Sequence, residues 1–309
     1  MAIFGQGEYK YELVEGWAKV PSGFKYRPEG VRGRYLLSIS GDSQGNIYIS
    51  GQNIAHPLIV LDSNGNFINS WGEGHIIQPH GIHVGPDDSV YVVDRNAQVI
   101  EKYTPSGELL KTWGRRFAPV PIFARRPFNL PSSMTIAPNG EMYVADGYGN
   151  SLIHRFSPEP ESKLLNTWGD YGTGPGQFVI VHSVAVDSKG HVYVADRVNE
   201  RIQKFTAEGE LITIWENVNF PMDIKIDARD DTVYTLECLD YRGWPNKEPN
   251  VPRITIRDTE GKIISELLGN RDEGRGVLDI GHGFWISPQG DIYEVDAIAD
   301  SRIQKFARV

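Results

Sequence analysis

Gly81-Ile82-His83-Val84, Ser89-Val90-Tyr91-Val92-Val93-Asp94, Val99-Ile100-Glu101-Lys102-Tyr103 and Glu108-Leu109-Leu110-Lys111-Thr112-Trp113-Gly114 decide the fold. β-Branched and aromatic residues fill these runs, while Pro86-Asp87-Asp88 and Pro105-Ser106-Gly107 break them. That reads as four short strands joined by tight turns. The pattern recurs from Ser38 to Gly72, from Ser133 to Gly169 and from Ser183 to Trp215. Two divergent copies run from Asp223 to Gly269 and from Gly283 to Phe306. Six copies at a spacing of about 40–60 residues are the signature of a six-bladed β-propeller. One such sheet cannot cover both of its faces, so the blades must stack radially and the ring must close. The predicted fold is all-β, one propeller domain over residues 1–309. The last copy stops after Arg302-Ile303-Gln304-Lys305-Phe306, and Tyr11-Glu12-Leu13-Val14-Glu15-Gly16-Trp17 resembles the missing fourth strand. The N-terminal segment is expected to complete the last blade.

Composition bounds the function. The formal net charge of −9 and the lack of basic runs interleaved with aromatics argue against nucleic acid or an anionic membrane as partner. No apolar stretch approaches the ~20 residues that cross a bilayer. The first residues, Met1-Ala2-Ile3-Phe4-Gly5, carry no basic and apolar leader pattern. Cys238 is the single cysteine, so an intrachain disulfide is impossible. Together these favour a cytoplasmic protein acting on a small molecule, of undetermined oligomeric state.

Aligning the six copies at the residue that enters the first strand gives Leu37, His80, Ser132, His182, Met222 and His282. Histidine occupies every second copy, at intervals of 102 and 100 residues. A closed ring would bring three imidazoles around one axis. Three imidazoles hold a catalytic zinc and leave a fourth position open. Zinc suits neutral imidazoles best, and manganese, iron or nickel could also bind. The loops after the second strand add Gln52, Asn53, Arg95, Tyr148, Arg197 and Tyr241 to the axial face. Of these, Tyr148 breaks the repeat, and a tyrosine beside a metal can act as a general base. Arg197 fits either a bidentate grip on a substrate carboxylate or an ion pair with a neighbouring acid. Gln52, Asn53, Ser132, Met222 and Tyr241 are candidate substrate contacts. The recurring Asp94, Asp146, Asp196 and Asp296 are assigned to turn hydrogen bonds, because a repeated residue points to a repeated structural duty.

The Tyr-Val-Ala-Asp and Ile-Gln-Lys-Phe motifs at 193–196 and 303–306 resemble those of NHL-repeat propellers. Within them, Pro79-His80-Gly81, Val181-His182-Ser183 and Gly281-His282-Gly283 resemble the three zinc sites of the peptidyl-α-hydroxyglycine α-amidating lyases. Asp146-Gly147-Tyr148-Gly149-Asn150-Ser151 is similar to the segment that carries that family's proposed base. Ala195-Asp196-Arg197-Val198-Asn199-Glu200-Arg201-Ile202-Gln203 is similar to the segment that carries its active-site arginine. The resemblance implies a six-bladed zinc enzyme that splits an α-hydroxyglycine N–C bond into an amide and glyoxylate. Three departures limit it. Gly283 stands where the family has an aspartate that helps bind calcium, so calcium is not implied with the zinc. Gly149 replaces a disulfide cysteine. Ser50-Gly51-Gln52-Asn53-Ile54-Ala55-His56-Pro57 lacks the first-blade arginine that engages the substrate carboxylate. The expected function is a zinc-dependent lyase acting on a small hydroxylated or carbinolamine-like substrate. There Tyr148 would serve as base, and Arg197 and Arg95 would steady the developing anion. A metal-dependent lactone, ester or amide hydrolase and a non-catalytic binding scaffold are the alternatives.

Overall fold

In a computed structural model the chain folds into six antiparallel sheets, and residues 3–22, 24–26, 36–122, 124–238, 252–268, 278, 281–297 and 302–309 are described. Five sheets have four strands and one has five. Blade one is built on an inner strand at Leu36–Gly41 and blade two on Pro79–Val84. Blades three to six follow on Ser133–Ile136, Val181–Val186, Pro221–Ile226 and Gly281–Ile286. Each inner strand packs against the next, and Gly281–Ile286 returns to Leu36–Gly41, so the blades form a ring. The sixth sheet is ordered Ile3–Gln6, Tyr9–Leu13, Ile303–Arg308, Ile292–Asp296, Gly281–Ile286. Tyr9–Leu13 pairs antiparallel with Ile303–Arg308, and the two ends of the chain meet in one blade.

The burial pattern explains the sequence pattern. Second strands such as Val90–Asp94 and Val192–Asp196 are buried at every residue, because a blade interior has neighbours on both faces. They are accordingly apolar on both faces rather than alternating. Outer strands such as Leu109–Gly114 are largely exposed and keep a buried tryptophan near the end. Each core cluster spans two adjacent blades. One joins Tyr143, Ala145, Ile153 and Trp168 to Val184, Val192 and Val194. Burial is thus shared between blades, and a single blade has no core of its own.

Asp94, Asp146 and Asp196 have the structural duty expected of the recurring acids. Asp94 accepts from the Ile77 and Gln78 amides, Asp146 from Asn129 and Asp196 from Val179. Glu237 does the same for Asn219 in blade five. Each acid therefore ties down the connector that leads into its own blade's inner strand.

Candidate metal centre and its surroundings

The three histidines meet on the axis. Their ring centroids are 5.0 Å apart for His80–His182, 4.9 Å for His80–His282 and 5.0 Å for His182–His282. The interplanar angles are 70°, 71° and 66°, so the cluster has near threefold symmetry. All three are buried. One ligand nitrogen from each lies within 4.8 Å of the other two.

Local backbone geometry aims them. The pairing with the second strand slips between Pro79 and Gly81, between Val181 and Ser183, and between Gly281 and Gly283. Each histidine therefore sits in a β-bulge, which turns a side chain out of the strand's alternation. The same slip occurs at Leu37 and Met222. Ile180, two residues before His182, has φ 61°, a left-handed bend at the entrance to the strand.

The intervening blades orient the rings. His80 Nδ1 donates to the Ser132 carbonyl at 2.8 Å, His182 to Met222 at 2.5 Å and His282 to Leu37 at 2.7 Å. A carbonyl can only accept, so each Nδ1 carries the hydrogen and each Nε2 presents a lone pair. This is how metal-binding imidazoles are ordinarily held by the groups behind them. Leu37, Ser132 and Met222 thus serve through the backbone. Ser132 and Met222, expected as substrate contacts, are buried and place their carbonyls behind the histidines. Ser132 also donates its hydroxyl to the Val181 carbonyl at 2.7 Å, one residue before His182.

The donor set fits a divalent transition ion. Zn–N bonds of about 2.0–2.1 Å in a tetrahedron put the nitrogens about 3.3 Å apart, so the three rings, whose nitrogens lie within 4.8 Å of one another, would draw together around an ion. Burial and the Arg197 charge, followed by the other two rings, push the His182 pKa well below its ordinary value, which keeps the ring neutral and ligating. Among the described residues this is the one cluster of three metal-ligating side chains. The other histidines have separate duties: His154 faces Asp146, His191 faces Asp187, and His75 faces Glu101.

Tyr148 adjoins the triad. Its Oη is 3.0 Å from Nε2 of both His80 and His182. Arg197 Nη1 donates to that oxygen at 3.1 Å. The phenol ring lies between two guanidinium groups, Arg95 at 4.7 Å and Arg197 at 5.3 Å from its centroid. Arg95 donates through Nε and Nη2 to Gln78 Oε1. Arg197 is buried, stacks on Phe220 and has no partner for Nε. Among the described residues neither arginine has a carboxylate partner.

The glycines flanking Tyr148 are spatial requirements. A Cβ at Gly147 would fall 1.7 Å from the Val181 carbonyl oxygen, and one at Gly149 would fall 2.3 Å from Asn129 Oδ1. The Tyr148 and Gly149 amides donate to Leu130 and Asn129. Asn129 also donates to the Val120 carbonyl. The connector between blades two and three therefore fixes the tyrosine loop.

Gln52 and Asn53 sit on the first blade, where Asn53 donates to the Lys25 carbonyl. Tyr241 lies outside the described residues. One residue that the sequence reading passed over stands at the next position inward. Asp223 is buried and accepts from Ser183 Oγ at 2.6 Å, Lys225 Nζ at 2.9 Å and the Phe284 amide at 3.1 Å. It links blades four, five and six at this level. Its signal was available: it is the one acid in the register Ser38, Gly81, Ser133, Ser183, Asp223, Gly283.

His83, on the same inner strand as His80, gives the protein an acid limit. Burial and the Lys225 charge lower its pKa to about 4. An unfolded imidazole titrates near ~6.5, so between these values the unfolded chain binds a proton that the folded chain refuses. Stability from this group is complete above about pH 6.5 and is lost as pH falls toward about 4. Metal-free protein is expected to melt at a lower temperature at pH 5 than at pH 7. His83→Gln should flatten that dependence in calorimetry, and an unchanged slope would reject the assignment.

Comparison with known proteins agrees with the fold and motifs. Residues 178–205 match the NHL repeat family. The chain is 30% identical over 217 residues to human NHL repeat-containing protein 3, covering 67% of this chain and 60% of that one. It is 33% identical to Xenopus laevis peptidyl-glycine alpha-amidating monooxygenase B, over 81% of this chain and 28% of the relative. It is 32% identical to Drosophila melanogaster peptidyl-alpha-hydroxyglycine alpha-amidating lyase 1, over 48% of this chain and 29% of the relative. The alignments thus span 60% of the first of these relatives and less than a third of the other two. Among solved structures, virginiamycin B lyase from Staphylococcus aureus superposes with a TM-score of 0.57 at 15% identity, over 89% of this chain and 84% of that one. That likeness concerns the fold. The chain is a six-bladed propeller with an NHL repeat, and its relatives include amidating lyases at modest identity. No helix of the described residues is long and apolar enough to cross a membrane.

Proposed function

We propose that this propeller is a metal-dependent carbon–nitrogen lyase acting on a small, anionic, hydroxylated substrate of the carbinolamine type. The observation that carries the reading is Tyr148 Oη, held beside two ligand histidines by Arg197. A divalent ion on the histidines, zinc by preference, supplies Lewis-acid polarisation of a substrate oxygen. Tyr148, entering the reaction as its phenolate beside the Arg95 and Arg197 guanidinium groups, takes the proton from the substrate hydroxyl. As that carbon–oxygen bond becomes a carbonyl, the carbon–nitrogen bond breaks and its electron pair goes to nitrogen. The proton returns from Tyr148 to the nitrogen, so the products are an aldehyde and an amide. Arg197 donates toward the oxygen where charge develops, in a buried setting where such a donor counts for more than in water.

The two guanidinium groups argue for the anion. Among the described residues no carboxylate balances them, and the charge of the buried Arg197 is costly unless a ligand pairs with it. Arg95 is the anchor we assign to the substrate's carboxylate, in place of the arginine missing from the first blade. Three imidazoles alone would serve hydrolysis equally well. The tyrosine and arginines around them favour elimination.

The test is zinc-loaded protein with N-acyl-α-hydroxyglycines and their neutral carboxamide counterparts. Free amide and glyoxylate are expected from the carboxylates. A charged hydrogen bond contributes about 1.5–3 kcal/mol, so kcat/KM for the carboxamides should be about ten- to a hundredfold lower. Release of a carboxylic acid and an amine would mean hydrolysis, and no turnover of either series would reject the lyase.

A further inference from the structure

The inner strands are the free edges of their sheets, so alternate amides of each face the axis with no strand to accept from them. Side chains of the neighbouring blade take that role. The Ile82 amide donates to Ser38 Oγ at 3.0 Å, and the Val84 amide to Ser40 Oγ at 3.2 Å. The Phe284 amide donates to Asp223 Oδ2 at 3.1 Å. Ser38 and Ser40 are neutral hydroxyls, whereas Asp223 is a buried carboxylate.

Asp223 does more than satisfy one amide. Its Oδ1 accepts from Ser183 Oγ at 2.6 Å, from the Ile224 amide at 3.0 Å and from Lys225 Nζ at 2.9 Å. Ser183 directly follows His182, and Phe284 stands two residues after His282. Met222, directly before Asp223, supplies the carbonyl that accepts from His182 Nδ1. One residue of blade five is thus tied to the chain beside two ligand histidines, one in the blade before it and one in the blade after. Lys225 balances its charge, and the other donors complete its shell, which offsets the cost of burying a carboxylate.

We infer that Asp223 is a positioning residue for the metal centre, which holds the bulged segments of His182 and His282 at the separation that ligation requires. The inference rests on the three-histidine reading. A bulge leaves its residue outside the ladder, so each histidine needs a tie from elsewhere to keep its place. Blade five separates the blades that carry His182 and His282, and the two carboxylate oxygens of Asp223 bridge them. An asparagine there offers one acceptor oxygen, so Ser183 and Phe284 cannot both be held. Groups behind a metal-ligating imidazole set affinity without touching the ion. Asp223 acts one step further out, through the residues next to the ligands.

Zinc affinity, measured by competition with a chromophoric chelator, tests this. The visible spectrum of the cobalt(II)-loaded protein and the melting temperature of the metal-free protein are recorded alongside. Asp223→Asn is expected to weaken zinc binding about tenfold, the lower end for groups that hold a metal ligand in place, and to shift the cobalt bands. Ser183→Ala cuts one tie and keeps the carboxylate. It should move both readouts in the same direction by less, and it carries the test if Asp223→Asn fails to fold. Ser40→Ala removes an axial acceptor whose donor, Val84, lies four residues from His80, and should leave zinc affinity unchanged. Asp223 and Ser183 variants that melt lower yet bind zinc as tightly as the parent protein would overturn the proposal. So would an equal loss of affinity in Ser40→Ala. A parent protein that takes up no zinc would instead remove the three-histidine centre, and the proposal with it.

Discussion

His182→Ala is expected to purify without stoichiometric zinc, and its turnover should fall on the order of a thousandfold. Lewis-acid stabilisation amounts to several kcal/mol, and each ~1.4 kcal/mol is a factor of ten. His80, His182 and His282 are near-equivalent around the axis, and among the described residues no other histidine, cysteine, aspartate or glutamate joins the set. The same loss is therefore expected for His80→Ala and His282→Ala. Elemental analysis after dialysis, with turnover measured in parallel, checks this. A variant that keeps one equivalent of zinc would refute the three-histidine centre.

Tyr148→Phe should separate binding from chemistry. The phenylalanine ring keeps its place between Arg95 and Arg197, while the oxygen that contacts both histidines is lost. Zinc content should remain at one equivalent and KM should change little. The rate constant kcat should drop about 10²–10⁴-fold, the range for removing a positioned proton carrier. An unchanged kcat would remove Tyr148 from the reaction. Loss of zinc would instead make the tyrosine a structural support for the histidines.

Much of the site was legible because the chain repeats. A single histidine in a turn carries little information. Three in one register, on alternate copies of a ring, carry a geometric consequence, and the structure brings them to within 4.8 Å. Tyr148 was legible for a related reason, since it departs from what the other blades place after their second strands. The supporting groups were not legible. Leu37 and Met222 orient the histidines through carbonyl oxygens, and a carbonyl has no residue signature. Ser132 looked like a substrate contact because a hydroxyl in that register invites that reading. Its oxygen points to Val181, and its carbonyl to His80. Asn129 is 19 residues before Tyr148, and no periodicity connects them.

Blade number and the alternation of histidines are written in the chain itself. These follow from local rules: β-branched runs make strands, Asp, Pro and Gly make turns, and a sheet with two apolar faces needs neighbours on both sides. The convergence of the histidines, with their Nδ1 atoms tied to neighbouring blades, emerges from long-range packing. That depends on bulges that slip the strand register by one residue and on hydrogen bonds from one blade to the next. The same packing brings Asp223 against Ser183 and Phe284 of the two adjoining blades. Both are matters of a few ångströms between segments tens of residues apart in the chain, set by how the blades pack around the ring.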